Sequence, residues 1–122
     1  MTEDVKYILH LVAQALFDKQ GMNILALDVR GLSTLTDYMI IAEGHVDKHV
    51  VALADHVIST LEKTVHLSPL HVEGEAAGDW IVIDYLDVMV HIFMPGLREQ
   101  YALEQLWPEA KIVDVPIHVI SK

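Results

Sequence analysis

Apolar residues recur every three or four positions near the start of the chain. Val5, Ile8, Leu9, Val12, Ala15 and Leu16 share one stripe, the spacing of an amphipathic helix over residues 2–19. Thr2 is placed to cap it, Glu3 and Asp4 suit its positive first turn, and Gly21 stops it. Two continuous apolar runs follow, at 24–29 and 38–42. Neither alternates with polar residues, which is the pattern of strands covered on both faces. Arg30-Gly31 turns the chain after the first, and Glu43-Gly44 ends the second.

A second helical stripe carries Val50, Leu53, Ala54, Val57, Ile58 and Leu61, with Asp47 as the expected N-cap and an end near Thr64. Residues 69–73 read as a short strand, placed at a sheet edge because Pro69 has no N–H to donate. After the loop 75–78, residues 80–83 and 88–93 flank Asp84-Tyr85-Leu86-Asp87 as a β-hairpin. Pro95-Gly96 breaks the second strand, a last helix spans 97–107 up to Pro108, and 112–115 is a final strand. There is no internal repeat or linker. The order predicts one domain over 1–122 of α/β (α+β) class, a mixed β-sheet flanked by helices.

Composition narrows the function. Of 122 residues 52% are hydrophobic, enough for a self-sufficient core, with a surplus that either covers both sheet faces or forms a patch for a partner. Eighteen acids against eight Lys and Arg give a formal charge of −10. Such a surface repels phosphate, so direct nucleic-acid or anionic-membrane binding is not expected, and a basic protein is the better-matched partner. The absence of cysteine excludes disulfides, thiolate zinc sites and thiol nucleophiles. The acidic start, Met1-Thr2-Glu3-Asp4, lacks the basic opening of a targeting peptide, and no apolar run approaches ~20 residues. A cytoplasmic location is expected.

Several stretches in order, no one of them specific alone, resemble one family. They are Ala26-Leu27-Asp28-Val29, residues 36–41, His49-Val50, residues 54–57 and residues 69–75. Asp79-Trp80-Ile81-Val82-Ile83-Asp84, Asp87-Val88, Val90-His91, Arg98, Tyr101, Leu103-Glu104 and Leu106-Trp107 complete the set. Over residues 5–107 the sequence resembles the ribosomal silencing factor family, also called the Iojap family. The resemblance implies a nucleotidyltransferase-like fold without catalytic motifs or cofactors. It also implies a translational repressor, binding the large ribosomal subunit through ribosomal protein uL14 and blocking its union with the small subunit when nutrients are short. It further suggests a homodimer. One departure stands out: family hairpins often read Asp-Tyr-Gly-Asp, and here Leu86 replaces the glycine. Leucine is costly at positive φ, so either the turn changes type or Leu86 is held out as an apolar contact.

The candidate partner-binding residues are Asp79, Trp80, Asp84, Tyr85, Leu86, His91, Met94 and Arg98. Strand alternation puts Trp80, Val82 and Asp84 opposite Ile81 and Ile83. Trp80 is the expected anchor, with Met94, Tyr85 and Leu86 around it; the bland alternative is a core side chain at a strand edge. Between Lys63 and Arg98 the chain carries Glu73, Glu75, Asp79, Asp84 and Asp87 and no Lys or Arg, a charge suited to steering a basic partner. His91 is either an interface hydrogen-bonder or, more ordinarily, a structural histidine. Arg98, in the first turn of a helix against the dipole, is expected to pair with Asp84 or Glu104. Tyr101 and Trp107 are assigned to packing.

Other function classes fit less well. A nucleotidyltransferase needs a phosphate-gripping Gly-Ser turn and an Asp-x-Asp pair for magnesium; the corresponding turn is Gly44-His45, and no strand carries the pair. His45, His49 and His56 have helix-compatible spacing, and with Asp47 or Asp55 they could chelate a divalent ion, but they form no fixed three-ligand motif.

Overall fold

The computed structural model describes residues 5–102, 105–115 and 117. Helix α1 (Val5–Asp18) leads into β1 (Met22–Asp28) and β2 (Tyr38–Glu43), then α2 (Asp47–Val65), β3 (His71–Glu73), β4 (Trp80–Asp84), β5 (Val88–Phe93), α3 (Pro95–Tyr101) and β6 (Lys111–Ile112). The six strands form one mixed sheet in the order β3-β4-β5-β2-β1-β6. Its central pair, β2 and β5, is parallel, and the remaining pairs are antiparallel. The expected class, the hairpin of β4 and β5, and the edge position of β3 all hold. The cap assigned to Thr2, Glu3 and Asp4 lies outside the described residues.

The sheet's two faces differ in cover. On one, α1 and α2 lay their apolar stripes over Ala26, Ile40, Ala42, Ile81, Ile83, Val88, Val90 and Ile92, all buried. The other carries a smaller cluster of Leu27, Val29, Met39, Ile41 and Phe93, covered by Leu97 of α3 and by Trp107 and Ala110 of the returning chain. This is why β2, at the centre, is an unbroken apolar run: five of its six residues are buried. Toward β3 the second face stays partly open, with His71 and Glu73 exposed and Val82, Asp84 and Met89 half-buried.

Several boundaries depart from expectation; β1 runs from Met22 to Asp28 instead of 24–29, and β3 begins at His71, leaving Pro69 ahead of the strand. The N-cap of α2 is Val46 and not Asp47, and no side chain caps it. Instead His49, in the first turn, accepts the His45 N–H on Nδ1 at 2.8 Å and bonds the Lys19 carbonyl through Nε2 at 2.8 Å, tying α2 to the end of α1. The last helix starts with Pro95 at N1 and stops at Ala102 (φ 45), so Trp107 belongs to the crossing segment and not to the helix. The final strand is Lys111–Ile112, prolonged by the Val113 N–H donating to the Ala26 carbonyl at 2.8 Å.

Candidate functional site

Trp80 opens β4 on the partly open face, as alternation predicts. Its strand partner across the hairpin is Phe93, and Val82 faces His91. The register fixes its surroundings. The indole stacks on Phe93 with centroids 4.9 Å apart and meets Tyr101 at 4.7 Å. Its Nε1–H donates to Nδ1 of His91 at 3.2 Å. Trp80 is therefore half-buried: one part of the ring holds the smaller cluster, and the rest reaches the surface.

His91 is 7% exposed. Accepting from Trp80 places its own proton on Nε2, and that atom is buried with no hydrogen-bond partner. Burial disfavours the charged ring and pushes its pKa down to about 4. His91 thus orients Trp80 from below as a neutral acceptor, yet it is not a fully satisfied structural histidine.

The expected ring of residues around Trp80 does not close. Asp79 and Met94 adjoin it along the backbone, the Met94 N–H donating to the Asp79 carbonyl at 2.9 Å, but the Met94 side chain packs against the helix-side cluster. Asp84 and Leu86 lie at the opposite end of β4, where four residue steps along the strand put Asp84 ~13 Å from Trp80. Tyr85 faces the other way. It is 7% exposed, packed in the helix-side core, with its hydroxyl unpartnered. Burial, then the charge of Glu62, pushes its pKa up to about 12. Tyr85 is a core residue and offers no surface to a partner.

Leu86 resolves its own alternative. The turn keeps a positive φ of 76 with leucine in place of glycine. The Asp87 N–H donates to the Tyr85 carbonyl across it at 3.0 Å, and Asp84 Oδ1 accepts the Leu86 N–H at 2.8 Å. The side chain projects outward, 61% exposed. Beside it Leu70, also exposed, donates its N–H to the Asp84 carbonyl at 2.7 Å.

Arg98 is buried, and its acid is neither Asp84 nor, among the described residues, any other residue of the hairpin. Nη1 donates to Glu43 Oε2 at 3.2 Å and to the Asn23 carbonyl. The cause is topological. Parallel pairing sets Glu43 beside Phe93, so α3, which follows β5 at once, starts over the end of β2. A bulge in β1 between Met22 and Leu25 brings Asn23 (φ 50) there. Glu104 lies outside the described residues. Tyr101, expected to pack, is 47% exposed and touches Trp80. Its i, i+4 relation to Leu97, which packs on the sheet, carried that signal.

Among the described residues no group of three or more His, Asp or Glu could hold a metal ion. His45 and His49 stack with centroids 5.2 Å apart, while both nitrogens of His49 already serve backbone groups. No described helix is long and apolar enough to cross a membrane.

Residues 2–121 match the family model described as "Ribosomal silencing factor during starvation". The chain is 36% identical over 110 residues to ribosomal silencing factor RsfS of Bacillus subtilis, covering 90% of this chain and 92% of that one. It is 27% identical over 104 residues to mitochondrial assembly of ribosomal large subunit protein 1 of Mus musculus, covering 84% of this chain and 46% of the mouse protein. A crystal structure of a Chromobacterium violaceum protein superimposes with a TM-score of 0.81 at 35% identity, covering 84% of this chain and 85% of that one.

Proposed function

The chain belongs to the ribosomal silencing factor family, and from that premise we propose that it represses translation in the cytoplasm by docking on ribosomal protein uL14. In this reading it acts by binding and not by catalysis. Once seated, it obstructs the surface where the small subunit joins. The family places the role at the ribosome, and the mouse relative's name points to the large subunit.

The observation that carries the proposal is the uneven cover of the sheet. The open part of the second face presents half-buried Trp80, with exposed Glu73 and Asp79 on its side and Asp84 and Leu86 farther along. No Lys or Arg lies between residues 63 and 98. An aromatic side chain held from below and bordered by acids is the make-up of an interface anchor for a basic protein. A standard interface covers about 800 Å² per partner, roughly 30 Å across, so both ends of β4 fit beneath one partner. A homodimer through the same face would compete with the ribosome.

Co-sedimentation with isolated large subunits across a salt series is the test. Wild-type protein should pellet with large but not small subunits, and binding should fall with salt. Trp80→Ala should weaken binding at least about tenfold. Because the indole also stacks on Phe93 and Tyr101, this variant should lose about 2 kcal/mol of stability and still fold. Normal binding by a folded Trp80→Ala protein means the anchor lies elsewhere. Unhindered joining of the two subunits at saturating protein refutes the function.

A further inference from the structure

Next to Trp80 the surface dips into an open hollow of about 420 Å³ between the end of β5 and the first turns of α3, lined by Asp79, Met94, Gly96, Leu97 and Gln100. Two hollows of comparable size elsewhere each contain an arginine–carboxylate ion pair, beside Glu109 and Lys111 in the first and Glu99 in the second. Arg30 pairs with Asp28 in one, and Arg98 with Glu43 in the other. Here the Asp79 carboxylate is exposed and has no basic partner among the described residues.

The floor is half-buried and apolar, made by Met94 and Leu97. Gly96 lines the hollow, and a Cβ at that position would meet nothing within 4 Å, so a side chain placed there has room. The rim offers one carboxylate and one amide. A cavity with an aliphatic floor and an uncompensated acid at its edge complements a long cationic side chain, whose stem packs while its head keeps a charged hydrogen bond. Purely apolar side chains would bury the floor and leave Asp79 facing them. An anion would be repelled by a protein of formal charge −10.

We infer that this hollow is a specificity pocket for a Lys or Arg side chain of the partner protein, the stem lying on Met94 and Leu97 and the cation meeting Asp79. The inference rests on the reading of the chain as a protein that docks on the large subunit. It adds which chemistry is recognised and where.

Two variants test it in the full chain with isolated large subunits as the probe. Gly96→Leu fills the hollow where there is room for it and where the helical backbone suits leucine. Asp79→Asn removes the charge and keeps the carbonyl that receives the Met94 N–H. Gly96→Leu should weaken binding at least about tenfold with a melting temperature no lower than that of wild type. Asp79→Asn should weaken binding at low salt and flatten its salt dependence. If both variants bind like wild type while Trp80→Ala does not, the pocket is wrong and the docking reading survives. If Gly96→Leu weakens binding but Asp79→Asn leaves affinity and salt dependence unaltered, the occupant is apolar and the inference falls. A wild-type chain that never binds large subunits overturns both.

Discussion

Replacing His91 with phenylalanine should flatten the acid lability of the fold. The wild-type ring is 7% exposed, and its neighbours carry no charge. Trp80 and Phe93 lie against it, while Val82 and Ile41 flank it in the sheet. Desolvation alone pushes its pKa from 6.5 down to about 4. The unfolded chain therefore takes up a proton as pH falls through 6.5, whereas the folded chain refuses one until about 4. Stability is complete above the unfolded value and is lost on acidification. The loss from this group reaches about 2 kcal/mol by pH 5 and about 3 kcal/mol by pH 4. His56, lowered by burial and then by Lys19, adds a loss of the same sign, and it cancels when the two proteins are compared. Urea unfolding of wild type and His91→Phe at a series of pH values reads the difference. The phenylalanine protein loses the Trp80 hydrogen bond and starts lower near neutral pH, but the gap should close by about 2 kcal/mol on going to pH 5. Parallel curves for the two proteins would refute a buried, neutral His91.

Two further substitutions separate strain from support. Leu86→Gly relieves a leucine held at φ 76, and urea unfolding should show a gain of about 0.5–1 kcal/mol, the glycine's greater unfolded-state freedom offsetting part of the relief; no gain means the turn is unstrained. Arg98→Ala leaves Glu43, whose side chain is 12% exposed, without its cation, and should cost about 3 kcal/mol in thermal unfolding. A loss below about 0.5 kcal/mol would show that the pair is a surface one.

Much of the fold was legible because its signals are local. The α1 and α2 stripes and the uninterrupted run at β2 each report an environment that neighbouring residues alone define. Alternation likewise put Trp80 and Asp84 on one face. What the sequence could not carry is which strands meet. The parallel pairing of β2 with β5 joins residues fifty apart, and it alone sets Glu43 beneath Arg98. The tight grouping expected of Trp80, Tyr85 and Leu86 failed for a related reason. A hairpin brings its two arms together but keeps the tip a strand's length from the open end, and Tyr85 turned toward α2. Leu86 shows the opposite limit: sequence flagged the strain, but only geometry could say whether the turn would yield or the leucine would bear it.

The division of labour between the two faces explains how a conspicuous core can coexist with the proposed binding surface. The helix side buries its residues almost completely, and there the Tyr85 hydroxyl is buried without a hydrogen-bond partner among the described residues. The other side is finished only where α3 and Trp107 lie over it. Where that cover ends, Trp80 does two things at once: it closes the small cluster by stacking, and it stays partly exposed. His91 makes this tenable, since a neutral acceptor below the indole satisfies Nε1–H without placing charge inside the sheet. An aromatic side chain already ordered by the fold gives up little rotamer freedom when a partner covers it. The same contacts that make Trp80 partly structural would therefore make it a better anchor at the proposed interface, and truncating it should be felt in stability and in binding together.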